Sequence, residues 1–180
     1  FNGNANDESG NGHHGEMLDG GTFSSDINAN EKSALFLDND DFRIRLKGLQ
    51  SFAPTTKQGM VVSLWATKNI HATLLAQYPE PVSSNNFYIS LLNGNPNWNI
   101  LGNGTHNNYL RGNAKKFSDS NWQHWVIQIF PGNNNTKIFL NGNLEQEGTL
   151  ILNPKVTISP FYIGQSGGNK PRGAKGSIGC

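Results

Sequence analysis

Apolar and polar positions alternate with a period of two along most of this chain, and no stretch of useful length carries the 3.6-residue period of a helix. Phe42, Ile44 and Leu46 share one face, with Arg43 and Arg45 between them. Phe87, Ile89 and Leu91 alternate with Tyr88, Ser90 and Leu92, and Trp125, Ile127 and Ile129 alternate with His124, Val126 and Gln128. Ile138 and Leu140 share a face across Phe139. Each pattern predicts a strand with one buried face. The segments 62–66 and 161–163 are apolar on most of both faces, which predicts central strands packed on two sides. Between the runs lies turn chemistry. Asn-Gly occurs at Asn2-Gly3, Asn11-Gly12, Asn93-Gly94, Asn103-Gly104 and Asn141-Gly142, and both residue types tolerate the positive φ of tight hairpins. The clearest hairpin runs from Ile138 to Leu144. Many short strands with such turns predict an all-β sandwich or barrel.

Two stretches read as long loops. One runs from Tyr78 to Asn86 and contains Pro79 and Pro81. The other runs from Asn93 to Asn113, is rich in Asn and Gly, and embeds Trp98 and Tyr109. Loops of this length inside a compact domain are usually functional or disordered.

Composition narrows the class. A length of 180 residues suits one domain spanning 1–180. Charged residues make up 15% of the chain, against about 25% in typical domains, and Asn takes their place. The surface is therefore wetted by amides more than by charge. The net charge is +1 and the Lys and Arg residues are dispersed, which argues against a nucleic-acid partner. No apolar run approaches the roughly 20 residues that cross a bilayer, so no membrane insertion is expected. A start at Phe1 suggests a mature or excised chain. The single cysteine, Cys180, cannot form an internal disulfide; it is either a free thiol or pairs outside the module. Asn103 and Asn134 begin glycosylation sequons, in a chain where Asn is common enough for chance matches.

The order of motifs carries a resemblance. The segment Asn6-Asp7-Glu8-Ser9-Gly10-Asn11-Gly12-His13-His14-Gly15 resembles the opening of the laminin G-like modules of the concanavalin A-like lectin/glucanase superfamily. The segments 33–38 and 41–44 resemble that family's second and third strands. Val62-Ser63-Leu64-Trp65-Ala66, Trp122-Gln123-His124-Trp125-Val126 and Lys137-Ile138-Phe139-Leu140-Asn141-Gly142 are similar to its later strands. Tyr162-Ile163-Gly164 and Lys175-Gly176-Ser177-Ile178 resemble its closing segments. The resemblance implies a two-sheet antiparallel jelly-roll sandwich. It departs at Gly179, where the family usually carries an acid, and the family usually continues into one more strand. The expectation is a fragment of a longer chain whose last strand comes from beyond residue 180 or from a neighbouring copy, since an unpaired sheet edge invites pairing.

The candidate chemistry follows from both readings. Ca²⁺ takes about six to eight oxygens. The resemblance implies a structural calcium that pins the N-terminal loop, with Asp7 as its best carboxylate and Asp40 and Asp41 in a second acidic turn. The alternative is that Asp7 and Ser9 bond their own turn backbone. For a glycan, Trp98 between Asn97 and Asn99, followed by His106, Tyr109 and Arg111, offers an aromatic face beside amides and a cation; the alternative, which carries more weight, is that Trp98 caps the core from above. Trp65, Trp122 and Trp125 sit in strand patterns and read as core. The adjacent His13 and His14 match no zinc spacing and read as a solvated pair. Arg43, Arg45 and Lys47 read as the solvated side of a strand, with contact to an acidic polysaccharide as the sharper option. No strand carries the paired carboxylates a glycosidase needs; Glu145 and Glu147 follow a hairpin turn among polar neighbours.

The expected protein is a non-catalytic recognition or adhesion module, secreted or at a cell surface. Its partner would be a glycan or glycoprotein surface. The alternatives are a structural subunit of an extracellular fibre, paired with neighbouring copies, and, as a minor reading, a carbohydrate-active enzyme.

Overall fold

In the computed structural model the period-two segments become strands, and the described residues contain no helix. The structure describes residues 1–37, 42–49, 55, 57–67, 72–77, 86–92, 95–101, 110, 122–131, 135–150, 160–164 and 176–179. Four short strands come first: β1 (Gly15–Leu18), β2 (Thr22–Ser24), β3 (Ala34–Leu37) and β4 (Arg43–Leu46). Then follow β5 (Met60–Thr67), β6 (Ala72–Gln77), β7 (Asn86–Leu92), β8 (Asn95–Leu101) and β9 (Trp122–Ile129). The last four are β10 (Asn135–Leu140), β11 (Asn143–Thr149), β12 (Phe161–Gly164) and β13 (Gly176–Gly179). They form a six-stranded sheet, in the order β1-β4-β12-β6-β7-β8, and a seven-stranded sheet, in the order β11-β10-β9-β5-β13-β3-β2. Neighbours pair antiparallel, as in β5–β9 and β7–β8. This is the expected two-sheet sandwich.

The core lies where the two inner faces meet. From the seven-stranded sheet come Leu35, Leu64, Trp125, Ile127, Ile138 and Ile178; from the six-stranded sheet come Phe42, Ile44, Leu74, Ile89 and Phe161, all buried. Burial is what selects this register. A one-residue slip of β9 would exchange Trp125, Ile127 and Ile129 for His124, Val126 and Gln128 on the inner face. Two turns depend on positive φ. The β10–β11 hairpin turns on Asn141 and Gly142, at φ 48° and 82°, as the Asn-Gly signal predicts. Gly21, at φ 113°, lets the chain pass against Phe42, whose ring occupies the place of any side chain there.

Two expectations need correction. The stretch from Asn93 to Asn113 is not one long loop, because Asn95–Leu101 forms β8 and pairs along the whole of β7. Its alternation was hidden by Asn, a poor strand former that a hairpin partner can nevertheless hold in place. Second, β5 is central in its sheet but is packed on one side only. Leu64 and Ala66 are buried while Val61 is 64% exposed. β4 is flanked by β1 and β12, and its basic row lies on the solvated side as expected, with the Lys47 side chain 61% and that of Arg45 40% exposed. Arg45 and Lys47 both meet Glu16, and Arg43 lies 3.7 Å from Asp19. At the end of the chain β13 inserts between β3 and β5. It pairs all four of its residues with β3 but only Ile178 and Gly179 with β5.

The largest fully buried side chain is that of Trp125. Trp125→Ala is expected to cost about 3–5 kcal/mol in urea unfolding, the loss typical of deleting a large buried ring. A loss below about 1 kcal/mol would place Trp125 outside the core.

Candidate ligand-binding face

The N-terminal loop is held by Asp7. Its Oδ1 accepts the Ser9 N–H at 2.8 Å and its Oδ2 the His13 N–H at 2.9 Å. The Asp7 N–H donates to His14 Nδ1 at 3.1 Å, which places the proton of a neutral His14 on Nε2. His13 packs on Gly48, just past β4. His14 is thus exposed as expected but tied to the loop, and His13 is half-buried. Hydrogen bonds from the Ser9 side chain first, then from the His13 and Ser9 backbone, hold the Asp7 carboxyl down to about 2, against an ordinary 3.8.

Asp40 and Asp41 lie outside the described residues, as do His106, Tyr109, Arg111, Asn103 and Asn134. Among the described residues no cluster of three His, Cys, Asp or Glu is placed to hold a metal.

Asn97, Trp98 and Asn99 fall on β8, the edge strand of the six-stranded sheet, with Trp98 in register with the buried Ile89. They are strand residues rather than loop residues.

The outer face of the seven-stranded sheet is what sequence reasoning missed. Of the three tryptophans read as core, only Trp125 is buried; Trp65 and Trp122 are half-buried on the opposite face. Register assembles that face in rows. Trp65 is paired with His124, and their rings stack with centroids 4.8 Å apart at 26°. Ser63 Oγ lies 2.9 Å from His124 Nε2. The His124 backbone is clamped by the hairpin turn: its N–H donates to Asn141 Oδ1 and its carbonyl accepts the Asn141 N–H, both at 2.9 Å. The Trp122 ring reaches across β5 to Gly179, where a Cβ would stand 3.6 Å from its Cζ3. The next row runs Ser63, Val126, Phe139, Leu144 across four strands, and Leu144 is 49% exposed. Phe36, 38% exposed, adds a ring on β3. An outer sheet face ordinarily carries polar residues. Indole, imidazole and phenyl groups set among Ser, Thr and Gln side chains instead form a platform, and exposed apolar surface of this kind marks interaction sites. The signal was available in parity: Trp122 and His124 stand on the opposite side of their strand from Trp125.

The comparisons agree with this architecture. A laminin G-type family model, described as the concanavalin A-like lectin/glucanases superfamily, matches residues 38–180. The chain belongs to this family. No curated protein matches the sequence. Among solved structures, domain 4 of AbnA, an extracellular GH43 arabinanase from Geobacillus stearothermophilus in complex with arabinotriose, is similar at TM-score 0.60 and 20% identity, over 98% of this chain and 84% of that one. The CBM40 of the Ruminococcus gnavus IT-sialidase, bound to α2,3 sialyllactose, is similar at TM-score 0.64 and 15% identity, over 82% of this chain and 86% of that one. The binding domain of Paraclostridial Mosquitocidal Protein 1 is similar at TM-score 0.68 and 16% identity, over 97% of this chain and 44% of that one. At these identities the likeness is one of fold.

The Asp7 bonds set a pH dependence. Because the folded carboxyl titrates below its ordinary 3.8, its contribution to stability is complete above that value and is lost as pH falls through about 2. The ¹³C shift of the Asp7 carboxyl should show a midpoint near 2; a midpoint near 3.8 would mean that the Ser9 and His13 bonds do not form in solution.

Proposed function

We propose that this is a non-catalytic carbohydrate-binding module of a secreted or surface protein, and that the outer face of the seven-stranded sheet carries its ligand. The observation behind the proposal is the half-buried cluster of Trp65, Trp122 and His124 on a sheet face that would ordinarily be polar. Aromatic rings bind the apolar face of a sugar ring, and Ser63, Thr67 and Gln128 offer hydroxyl and amide partners for its hydroxyls. The fold neighbours that hold arabinotriose and sialyllactose support the class of ligand without naming this chain's own.

The Ser63–His124 contact has the distance of a nucleophile and base, yet no described acid orients the far nitrogen of His124. The pair also sits on regular strands rather than on a turn that would aim a nucleophile. We read it as a ligand-facing hydrogen-bond pair. Family membership carries no activity by itself.

A glycan array probed with the wild type, Trp65→Ala and Trp122→Ala tests the site. The expected result is binding by the wild type and at least tenfold weaker binding by both variants, with near-UV circular dichroism retained. Trp98→Ala is the counter-test. If it alone abolishes binding, the ligand lies at β8 and the outer face is not the site.

The proposal also carries a structural calcium at the N-terminal loop, with Asp7 as a ligand. The Ser9 and His13 bonds hold the Asp7 carboxylate ionised and fixed in the loop, as a Ca²⁺ ligand must be. Calcium is then expected to raise the melting temperature of the wild type over that in EGTA, and to leave Asp7→Asn unchanged. Equal melting temperatures with and without calcium in the wild type would make the loop a metal-independent turn.

A further inference from the structure

We infer that a second ligand pocket lies under the β10–β11 hairpin and takes a hydroxyl-bearing ligand about the size of a single sugar residue. The pocket has a volume of about 320 Å³ and is lined by Gln123, Leu140, Asn141, Asn143 and Glu145. That volume falls at the lower end of the roughly 300–1,000 Å³ of small-molecule sites. The pocket stands apart from the outer face. Gln123 lies between Trp122 and His124 on β9, and alternation turns it to the side that carries Trp125. Leu140, paired with Trp125 and buried, continues that side onto β10. Asn143 is the register partner of Leu140 on β11. The inference therefore does not depend on the outer face binding a glycan.

Glu145 reaches the pocket because of a bulge. The β10–β11 ladder sets Leu144 opposite Phe139 and Gln146 opposite Ile138, which leaves Glu145 as an extra residue between them. A bulge re-aims the side chain it adds. Here it separates two acids that alternate in the sequence: Glu147 stands on the outer side, 3.9 Å from Lys137, while Glu145 joins Asn143 and Leu140 at the pocket. Gln123 supplies the observation that points to a ligand. Its Oε1 is enclosed and finds no hydrogen-bond donor among the described residues. A buried carbonyl without a donor is costly. The last torsion of a Gln side chain is broad and roughly two-fold, so a turn of the carboxamide brings it to a donor held in the pocket. The lining has the chemistry of a polyol site. The Glu145 carboxylate accepts hydrogen bonds at two oxygens, and the Gln123 carboxamide both donates and accepts, as each hydroxyl does. Asn143, whose Nδ2 donates to the Asn141 carbonyl at 3.4 Å, adds its Oδ1 as an acceptor. Leu140 offers an aliphatic surface to the C–H groups of a ring. A metal ion would leave most of the volume unfilled and the Gln123 amide without an acceptor.

Two-dimensional ¹H–¹⁵N NMR of the whole chain, titrated in turn with D-glucose, D-galactose, L-arabinose and N-acetyl-D-glucosamine, tests the inference, with calcium chloride as a cation probe. The expected result is that at least one sugar shifts the side-chain amide signals of Gln123 and Asn143 and saturates them. Gln123→Met and Glu145→Gln should each bind that sugar at least tenfold more weakly, and Trp65→Ala within about twofold of wild type. Gln123→Met removes an enclosed, unpaired oxygen while keeping the length of the side chain, so its urea midpoint should not fall, and its loss of binding is then not a loss of fold. The inference is overturned if none of the four sugars moves the Gln123 and Asn143 signals, if both variants bind as the wild type does, or if calcium moves those signals in place of the sugars. Sugar shifts confined to Trp65 and His124 would also overturn it, and would leave the outer face as the glycan site.

Discussion

Side-chain alternation across a strand is the constraint on which the rest of this structure depends. In the seven-stranded sheet it forces Trp122 and Trp125, three residues apart on β9, to opposite faces. One is sealed among Leu64, Ile127 and Ile138; the other is left above Gly179 at the surface. Burying the inner face fixes the register, because a slip by one residue would place imidazole and amide groups against Phe42 and Phe161. Once the register is fixed, the outer rows are fixed as well. Trp65 must meet His124, and Val126 must lie between Ser63 and Phe139. The core thus organises the face it does not touch.

Electrostatics plays a smaller part and mostly cancels itself. Arg45 and Lys47 share Glu16, whose carboxyl they hold below the usual range, Arg45 first. These pairs are exposed, and exposed pairs contribute little to stability. Local polar bonds do more at the N-terminus, where Asp7 gathers the Ser9 and His13 backbone and His14 into one turn. The Asn141 side chain acts similarly at the other end of the sheet, joining a hairpin turn to the strand that presents His124.

The sandwich was legible because its strands alternate cleanly wherever one face is buried. β4, β7, β9 and β10 match their patterns, and Asn141-Gly142 turns where an Asn-Gly pair should. The short β1 and β2 were not read as strands, and β8 and β6 were missed for two different physical reasons. β8 reads as loop because its Asn residues have low strand propensity and only pairing with β7 holds them extended. β6 shows no alternation because Leu74, Leu75 and Ala76 are all buried, with a register shift between Thr73 and Leu75 that lets successive residues pack. The outer-face site was half legible. The parity of Trp122, His124 and Trp125 was in the sequence, but the usual rule that tryptophan in a strand belongs to the core assigned all three rings the same way. What sequence could not supply was the cross-strand register that brings Trp65, from a segment far along the chain, onto His124. The calcium expectation rested on acidic residues grouped by resemblance, and of these the described structure places Asp7.

The most direct test of the central claim is a crystal structure of the chain grown with the oligosaccharide it binds best. The account predicts sugar density over Trp65, His124 and Trp122. Density at β8 around Trp98, or confined to the N-terminal loop beside Asp7, would contradict it.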